Sequence, residues 1–388
     1  MKSEWKTIRA ADFIDFNPKA SIKKGVVATK IAMDKLLPFT KKIPASEPTE
    51  FLGGAKFING DTIMARITPC LENGKTAFVD ILNEGEVGFG STEFIVLRAK
   101  KDVSDPQFVY YLAISPAFRS VAIKSMVGSS GRQRVQQSVL NELKLLVPPL
   151  EEQERIGFLL AKLDDKIALN NAINDHLELQ AAALIARYQT TTDTVITLHD
   201  IMAFENGFAF QSSTYLAEGA YRIITIKNVQ DGRIDSDGAA YIDSIPPRMK
   251  NGCRLHIGDA LLSLTGNVGR AGIVCEENLL LNQRVAKIVP HNPDLLPFLY
   301  FVYRLPSTKV MLESIAKGTA QLNLSPVETL KLTIPFDHET AIQLSRNLAP
   351  VYRAIVVNNQ ESIALAHTRD SLLPKLMSGE IDVSDIQL

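Results

Sequence analysis

The sequence predicts an α+β protein built twice over. Two similar domains with short-stranded, twisted, barrel-like sheets are separated by two long helices that form an antiparallel coiled coil, and an internal pseudo-twofold duplication relates the halves. Three observations predict this. An ordered series of matches recurs with a period near half the chain, two long stretches carry apolar residues at helical spacing, and the remainder holds short apolar runs broken by Gly, Asn and Pro.

The duplication is read first. VLNELKLLVPPLEEQERIGFLLAKLDDKIALNNAINDHLE (139–178) is echoed by VETLKLTIPFDHETAIQLSRNLAPVYRAIVVNNQESI (327–363). Ser138 matches Ser325, Leu143-Lys144-Leu145 matches Leu330-Lys331-Leu332, and Pro148 matches Pro335. After one residue of drift, Ile167 and Asn170-Asn171 fall on Ile355 and Asn358-Asn359. Upstream, ADFIDF (11–16) aligns with HDIMAF (199–204), Gly60-Asp61 with Gly258-Asp259, and PQFVYYLAISPAFRSVAIKSMVG with LPFLYFVYRLPSTKVMLESIAKG. One such match could arise by chance, but an ordered series could not. The plan is domain–helix–domain–helix, with boundaries at 1–147, 148–189, 190–334 and 335–388.

The helical stretches follow. In the first, Ile156, Leu159, Leu163, Ile167, Asn170, Ile173, Leu177, Ala181 and Leu184 recur at spacings of three and four. In the second, Leu348, Val351, Ile355, Asn358, Ser362, Leu365, Arg369 and Leu372 do the same. Glu151-Glu152 put negative charge in a first turn, where the helix dipole favours it. Pro374 and Gly379 mark the end of the second helix. Each helix runs roughly 35–40 residues, about 55–60 Å at 1.5 Å per residue. Asn170 and Asn358 both fall on the seam, where an Asn lowers stability but fixes register. They are expected either to face each other and set the antiparallel register or to point outward as surface asparagines.

The domain segments hold runs such as KFING, TIMARI, EFIVLRA, YRIITIKNV, ALLSLTG, AGIVCE and VAKIVP, which are short-strand signals. They end in a predicted helix over 106–126 and its counterpart over 294–316.

Composition narrows the function classes. Hydrophobic residues are 46% and charged residues 22%, values of an ordinary globular chain, and no apolar run approaches the ~20 residues needed to span a bilayer. The start, MKSEWKTIRAADF, lacks the layout of a secretory signal, so a cytoplasmic location is expected. Cys70, Cys253 and Cys275 have no metal-type spacing, and no HExxH occurs; no metal site is predicted. A net charge of −1 excludes a basic nucleic-acid binder as a whole but leaves local patches open. Gly74-Lys75-Thr76 ends like a phosphate loop, yet Pro69 stands where that loop needs its first glycine, and a turn between strands is the better reading. Asn17-Pro18-Lys19-Ala20 and Asn292-Pro293-Asp294-Leu295 fail the base-holding motif of an N-methyltransferase. No GxSxG elbow appears. No catalytic residue is identified.

PPLEEQERIGFLLAKLDDKI closely resembles the helical region of the specificity subunit of Type I restriction–modification enzymes. GDTIMARITPCLENGKTA, GSSGRQRV, GDALLSLTGNVGRAGIV and RDSLLPKLMSGEI support the resemblance, which covers essentially the whole chain. It implies a non-catalytic DNA-specificity subunit with two target-recognition domains, each reading half of a bipartite, asymmetric site in double-stranded DNA. The coiled coil would set the spacer and dock methyltransferase subunits, two of them, with restriction–translocase subunits as further partners. It implies no cofactor on this chain: S-adenosylmethionine, and ATP with Mg for a nuclease subunit, would be held by partners. The second helix departs from the pattern, with Asp337-His338-Glu339-Thr340 in place of the EEQ start and Val351-Tyr352-Arg353-Ala354 opposite Leu163-Asp164-Asp165-Lys166. Two methyltransferase copies would then dock unequally, or the second contact would be looser than the first.

Candidate DNA contacts follow from residue chemistry. Ser129, Ser130, Arg132, Gln133 and Arg134 occupy a glycine-punctuated loop; Arg can address guanine O6/N7 and Gln adenine N6/N7, though such a loop serves phosphate or partner contacts nearly as well. Arg66, Lys75, Lys23 and Lys24 are candidates for phosphate contact, with solvated surface lysine as the plainer alternative. In the second domain the matched loop KGTAQLN offers Lys317, Thr319 and Gln321, and LTGNVGR offers Thr265, Asn267 and Arg270 in an exposed, donor-rich turn. Two other readings stay open: a single-chain DNA methyltransferase or nuclease, and a coiled-coil scaffold that does not bind DNA.

Overall fold

The computed structural model describes residues 5–129, 131–318 and 321–384. The chain forms two compact units, residues 1–168 with 364–388 and residues 169–363. The long helices are Leu150–Thr191 and His338–Met377, and each unit contains one end of each.

In the first unit an antiparallel sheet runs in the order Ile14–Phe16, Phe94–Ala99, Thr62–Ala65, Thr76–Phe78. A second sheet has the order Glu47–Glu50, Val27–Ile31, Gly88–Gly90, Ala55–Phe57, its middle pair parallel. Side chains alternate across a strand, so the first sheet serves two cores. Ile63, Ala77, Phe94 and Val96 pack with Ile31 and Phe57 of the second sheet and with Leu36, which follows the 3-10 turn Met33–Lys35. Met64, Phe78, Ile95 and Leu97 pack with Phe108, Leu160 and Leu376 of the helices. Burial on both faces is why FIVLRA reads as an unbroken apolar run. Lys6–Arg9 pairs antiparallel with Lys144–Val147, bringing the start of the domain to the entrance of the long helix.

The second unit repeats the plan. Its main sheet has the order Met202–Asn206, Val285–Pro290, Ala260–Ser263, Ala271–Ile273, Gly232–Arg233, and its smaller sheet the order Ala240–Ile242, Tyr221–Ile224, Leu279–Leu281. Val195–Thr197 pairs with Thr333–Pro335 as the equivalent clasp. The recurring Gly-Asp pair has a structural role in both units. Asp61 is fully buried, accepts the Ile58 N–H at 2.8 Å, and is gripped by Arg98 Nε and Nη2, both at 2.7 Å. Asp259 accepts the His256 N–H at 2.9 Å and pairs with Lys287 at 3.3 Å.

Two expectations are corrected. The helix predicted over 106–126 is two helices, Pro106–Ile114 and Pro116–Lys124. Its counterpart is Leu296–Arg304 and Pro306–Ile315, after a short 3-10 turn. A proline drives the preceding residue out of the helical region, and Ser115 and Leu305 accordingly have ψ of 145° and 136°. Each proline then opens the next helix from its first turn, where its missing N–H is harmless. The seam is also shifted. Ile173 and Leu184 are 38% and 45% exposed, whereas Asn174 and Ile185 take the inward positions at 8% and 0%. Counting apolar residues alone missed a stripe that carries polar groups.

Within each unit the helix segments run antiparallel. In the first, Ile156, Leu160 and Ala161 share a core with Leu373 and Leu376. In the second, Ala181, Ile185 and Tyr188 share one with Ala341, Leu348, Tyr352 and Ile355. No described helix is long and apolar enough to cross a membrane.

Candidate nucleic-acid interface

The loop that carries GSSGRQRV begins after the helix Pro116–Lys124 and folds back on itself. Val127 and Arg134 exchange backbone hydrogen bonds at 3.1 and 2.9 Å, and the Thr68 and Val135 N–H groups bond to the Gln133 and Arg66 carbonyls at 3.0 and 2.8 Å. The Arg66 N–H bonds to the Glu93 carbonyl at 2.9 Å, bringing a third segment alongside. The result is a platform in which residues 66–68, 93, 127 and 133–135 lie side by side. Gly128 has φ of 136°, and a Cβ there would meet the Arg132 carbonyl at 2.9 Å; the reversal needs a glycine.

On this platform Arg134 is fixed. Its Nε donates to both Glu93 oxygens at 3.0 Å and its Nη2 to Oε1 at 2.6 Å, with the side chains 45% and 25% exposed. The Arg134 hydrogen bond, reinforced by its charge, holds the Glu93 carboxyl below its ordinary pKa. Arg132 and Ser129 are exposed, and Gln133 is half-buried with its N–H on Thr68 Oγ1 at 3.0 Å. Ser130 lies outside the described residues. Arg66 is half-buried, donating through Nη2 to the Val135 carbonyl at 3.4 Å, while its Nε is buried with no partner.

The other basic candidates of this unit take no part in the platform's backbone bonds. Lys75 closes the turn 66–75 between two antiparallel strands, where its Nζ donates to the Met33 carbonyl at 3.0 Å. Gly74 in that turn has φ of 74°, and a Cβ on it would sit 2.7 Å from the Phe39 ring. Lys23 and Lys24 are exposed in the turn leading to Val27–Ile31, in the second sheet.

The second unit builds the same platform bond for bond. Lys317 and Asn323 exchange backbone hydrogen bonds at 2.9 and 2.8 Å. The Gly266 N–H bonds to the Leu322 carbonyl at 2.9 Å, Leu324 N–H to Leu264 at 2.7 Å, and Leu264 N–H to Arg284 at 3.0 Å. Thr265, expected in an exposed turn, is instead 3% exposed, because it lies in a bridge with Asn323 and donates its hydroxyl to Asn323 Oδ1 at 3.0 Å. Arg284 Nη1 donates to the same oxygen at 3.2 Å. Asn267 is exposed, whereas Arg270 is half-buried and donates to Gln230 Oε1 at 2.9 Å. Lys317 and Gln321 are exposed; Thr319 lies outside the described residues.

Sequence reasoning missed Glu93, Arg284 and Asn323. Gln283-Arg284-Val285 repeats the letters of Gln133-Arg134-Val135, which draws the eye to Arg284, but its backbone occupies the place of Glu93 and not of Arg134. No group of three His, Cys, Asp or Glu among the described residues could hold a metal.

On the helices, Asn170 Nδ2 donates to Glu361 Oε2 at 2.8 Å, to Ser362 Oγ at 3.3 Å and to the Asn358 carbonyl at 3.4 Å. Asn174 bonds to Asn359 Oδ1 at 3.0 Å and accepts from Asn358 Nδ2 at 2.8 Å. The last two residues of the EEQ start are turned inward, while Glu151 stays exposed: Glu152 accepts the Trp5 indole N–H at 3.1 Å, and Gln153, 2% exposed, bonds to Asp105 N, Val103 O and Pro148 O at 3.0, 3.2 and 2.9 Å. Its absence from the second helix therefore bears on how that helix joins its own domain.

Two helix-braced units, each carrying the same backbone platform with different side chains on it, define a duplicated two-domain protein. The family model for the Type I restriction modification DNA specificity domain matches residues 2–179 and again 192–365, and the chain belongs to that family. The EcoAI specificity subunit of Escherichia coli is 34% identical over 149 residues, a match spanning 38% of this chain and 24% of that subunit. The MjaVIII specificity subunit of Methanocaldococcus jannaschii is 21% identical over 417 residues, spanning 99% of this chain and 94% of that subunit. A crystal structure of the S subunit of a Type I restriction–modification system from M. genitalium shares the fold, with a TM-score of 0.55 and 16% identity over 97% of this chain and 96% of that one.

Proposed function

We propose that this chain is the non-catalytic DNA sequence-specificity subunit of a Type I restriction–modification complex. Each unit reads one half of a bipartite site in double-stranded DNA. The observation that carries this reading is the repeated platform: equal backbone hydrogen bonding in both units, with different polar side chains on it. A duplicated scaffold with altered side chains suits two unlike half-sites, hence an asymmetric target. The paired helices set the spacing and dock methyltransferase subunits, two per chain, while Asn170 and Asn358 hold the antiparallel register. S-adenosylmethionine then belongs to those partners, as do ATP and Mg to any restriction–translocase subunit, and the complex works in the cytoplasm.

Methyl transfer from labelled S-adenosylmethionine to genomic DNA of a host strain lacking this gene, whose target sites are unmodified, tests the division of labour. Transfer is expected only when the purified chain is combined with the methyltransferase subunits of its host. Methylation by the chain alone would contradict the proposal.

A further inference from the structure

The two platforms can be compared position by position, because five backbone hydrogen bonds recur in the same order. Arg66 corresponds to Leu264, Ile67 to Thr265, Thr68 to Gly266, Glu93 to Arg284, Val127 to Lys317, Gln133 to Leu322, Arg134 to Asn323 and Val135 to Leu324. Val135 and Leu324, which anchor the loops, are both apolar and buried, at 0% and 4%. The positions beside them are chemically unlike.

We infer that three equivalent positions select the base pairs each unit prefers: Ile67, Glu93 and Arg134 in the first, Thr265, Arg284 and Asn323 in the second, with Glu93 the positioning residue for Arg134. The inference rests on the DNA-recognition reading above and deepens it to named residues. Each triad joins three segments distant in sequence and places one guanidinium beside a side-chain oxygen acceptor. The guanidinium comes from opposite sides. In the first unit the post-helix loop supplies it and position 93 supplies the acid; in the second, the position equivalent to 93 supplies the arginine and the post-helix loop supplies an amide.

The chemistry offered to DNA differs accordingly. Glu93 holds Arg134 by its Nε–Nη2 side, which fixes the guanidinium plane; Nη1 makes one long bond, to the Arg132 carbonyl at 3.4 Å, and one hydrogen on each of Nη1 and Nη2 remains as a fork for two acceptors on one base edge, as guanine O6 and N7 provide. Glu93 also neutralises that charge locally. Arg284 pairs with no carboxylate among the described residues, is exposed, and sits at φ of 70°, a left-handed conformation that a non-glycine residue holds only when its surroundings enforce it. Asn323 has its Oδ1 occupied by Thr265 and Arg284 and one amide hydrogen on the Gln321 carbonyl at 3.1 Å, leaving the other to donate. The first unit thus presents a neutralised, oriented fork, and the second a cation beside an amide donor.

The test is selection by the full chain from a duplex library randomised over both half-sites, at low salt, with the bound pool sequenced. Wild type is expected to enrich two half-motifs. Arg134→Ala, Arg134→Lys and Glu93→Gln should each cut enrichment about tenfold at positions of one half-motif and leave the other intact. Arg284→Ala and Asn323→Ala should act on the other half only. The double exchange E93R/R134E keeps an ion pair at the same place, so it guards against misfolding; it should change which base is preferred in the first half-motif. Glu93→Gln isolates the positioning role: a purely structural Glu93 would leave the preference of that single change as in wild type. Variants that keep wild-type circular dichroism and wild-type preferences in both halves, or that alter both halves equally, overturn the inference. Failure of the wild-type chain to enrich any motif would instead overturn the DNA-recognition reading on which it rests.

Discussion

Lys41 is 3% exposed, with its ammonium 5.5 Å from the ring centroids of Phe78 and Tyr111 and 6.0 Å from that of Tyr110. Burial pushes its pKa below the ordinary lysine range, against the pull of Asp164 and Asp165. The folded state therefore releases this proton at a lower pH than the unfolded chain does. Between those two values stability rises with pH, and below the folded value the full penalty of burying the charge is present. Lys41→Met removes that charge and keeps much of the volume. It is expected to stabilise the protein by about 1 kcal/mol at pH 7, with the gap to wild type narrowing towards pH 10. Denaturant midpoints of both proteins at the two pH values check this; a gap that widens with pH would contradict it.

A second residue-scale feature shows how the duplication diverged. Gly157 corresponds to Ser345 at the one-residue-drifted offset. A Cβ at Gly157 would sit 2.7 Å from Asp105 Oδ1, and that oxygen caps the next helix by accepting the Phe108 N–H at 2.7 Å. In the second unit Ser345 Oγ takes over the cap, accepting the equivalent Phe298 N–H at 3.2 Å. The helix start is satisfied in both units, once by its own Asp and once by the long helix.

At the scale of elements, the long helices meet the first domain through a buried polar group. Asp164 and Arg369 pair at 2.6 Å with side chains 5% and 8% exposed, and Tyr111 donates to the other Asp164 oxygen at 2.6 Å. Removing one partner of such a pair strands the other in low dielectric. Arg369→Met is expected to destabilise by about 3 kcal/mol, and adding Asp164→Leu should recover most of that loss. Chemical denaturation of the four proteins of this double-mutant cycle reads the coupling directly. A loss below about 0.5 kcal/mol for the single change would show that the pair adds no more than an exposed one.

How much of this was legible in the sequence follows from the same elements. The long helices announce themselves, because apolar spacing persists over many turns and proline stands between each helix and the strand before it or at that strand's end, Pro148-Pro149 in one case and Pro335 in the other. The seam was less legible, since Asp164, Asn170 and Asn174 are buried there and polar residues do not advertise an inward face. The helix breaks at Pro116 and Pro306 were written in the sequence but overridden by the apolar pattern around them. The recognition platform was half legible: the two post-helix loops were matched, but Glu93 lies 41 residues from Arg134, and Arg284 lies 39 from Asn323. Such pairs exist only once the strands that carry them have been placed in register.

For the whole molecule, the proposed function means that two unlike recognition units on one duplicated scaffold direct DNA methylation to an asymmetric, gapped site. Long-read sequencing of modified bases in the host genome, with and without this gene, tests it most directly. Deletion is predicted to abolish methylation at one gapped motif with two different half-sites and to leave every other motif intact. Persistence of methylation at every gapped motif after deletion would contradict the account.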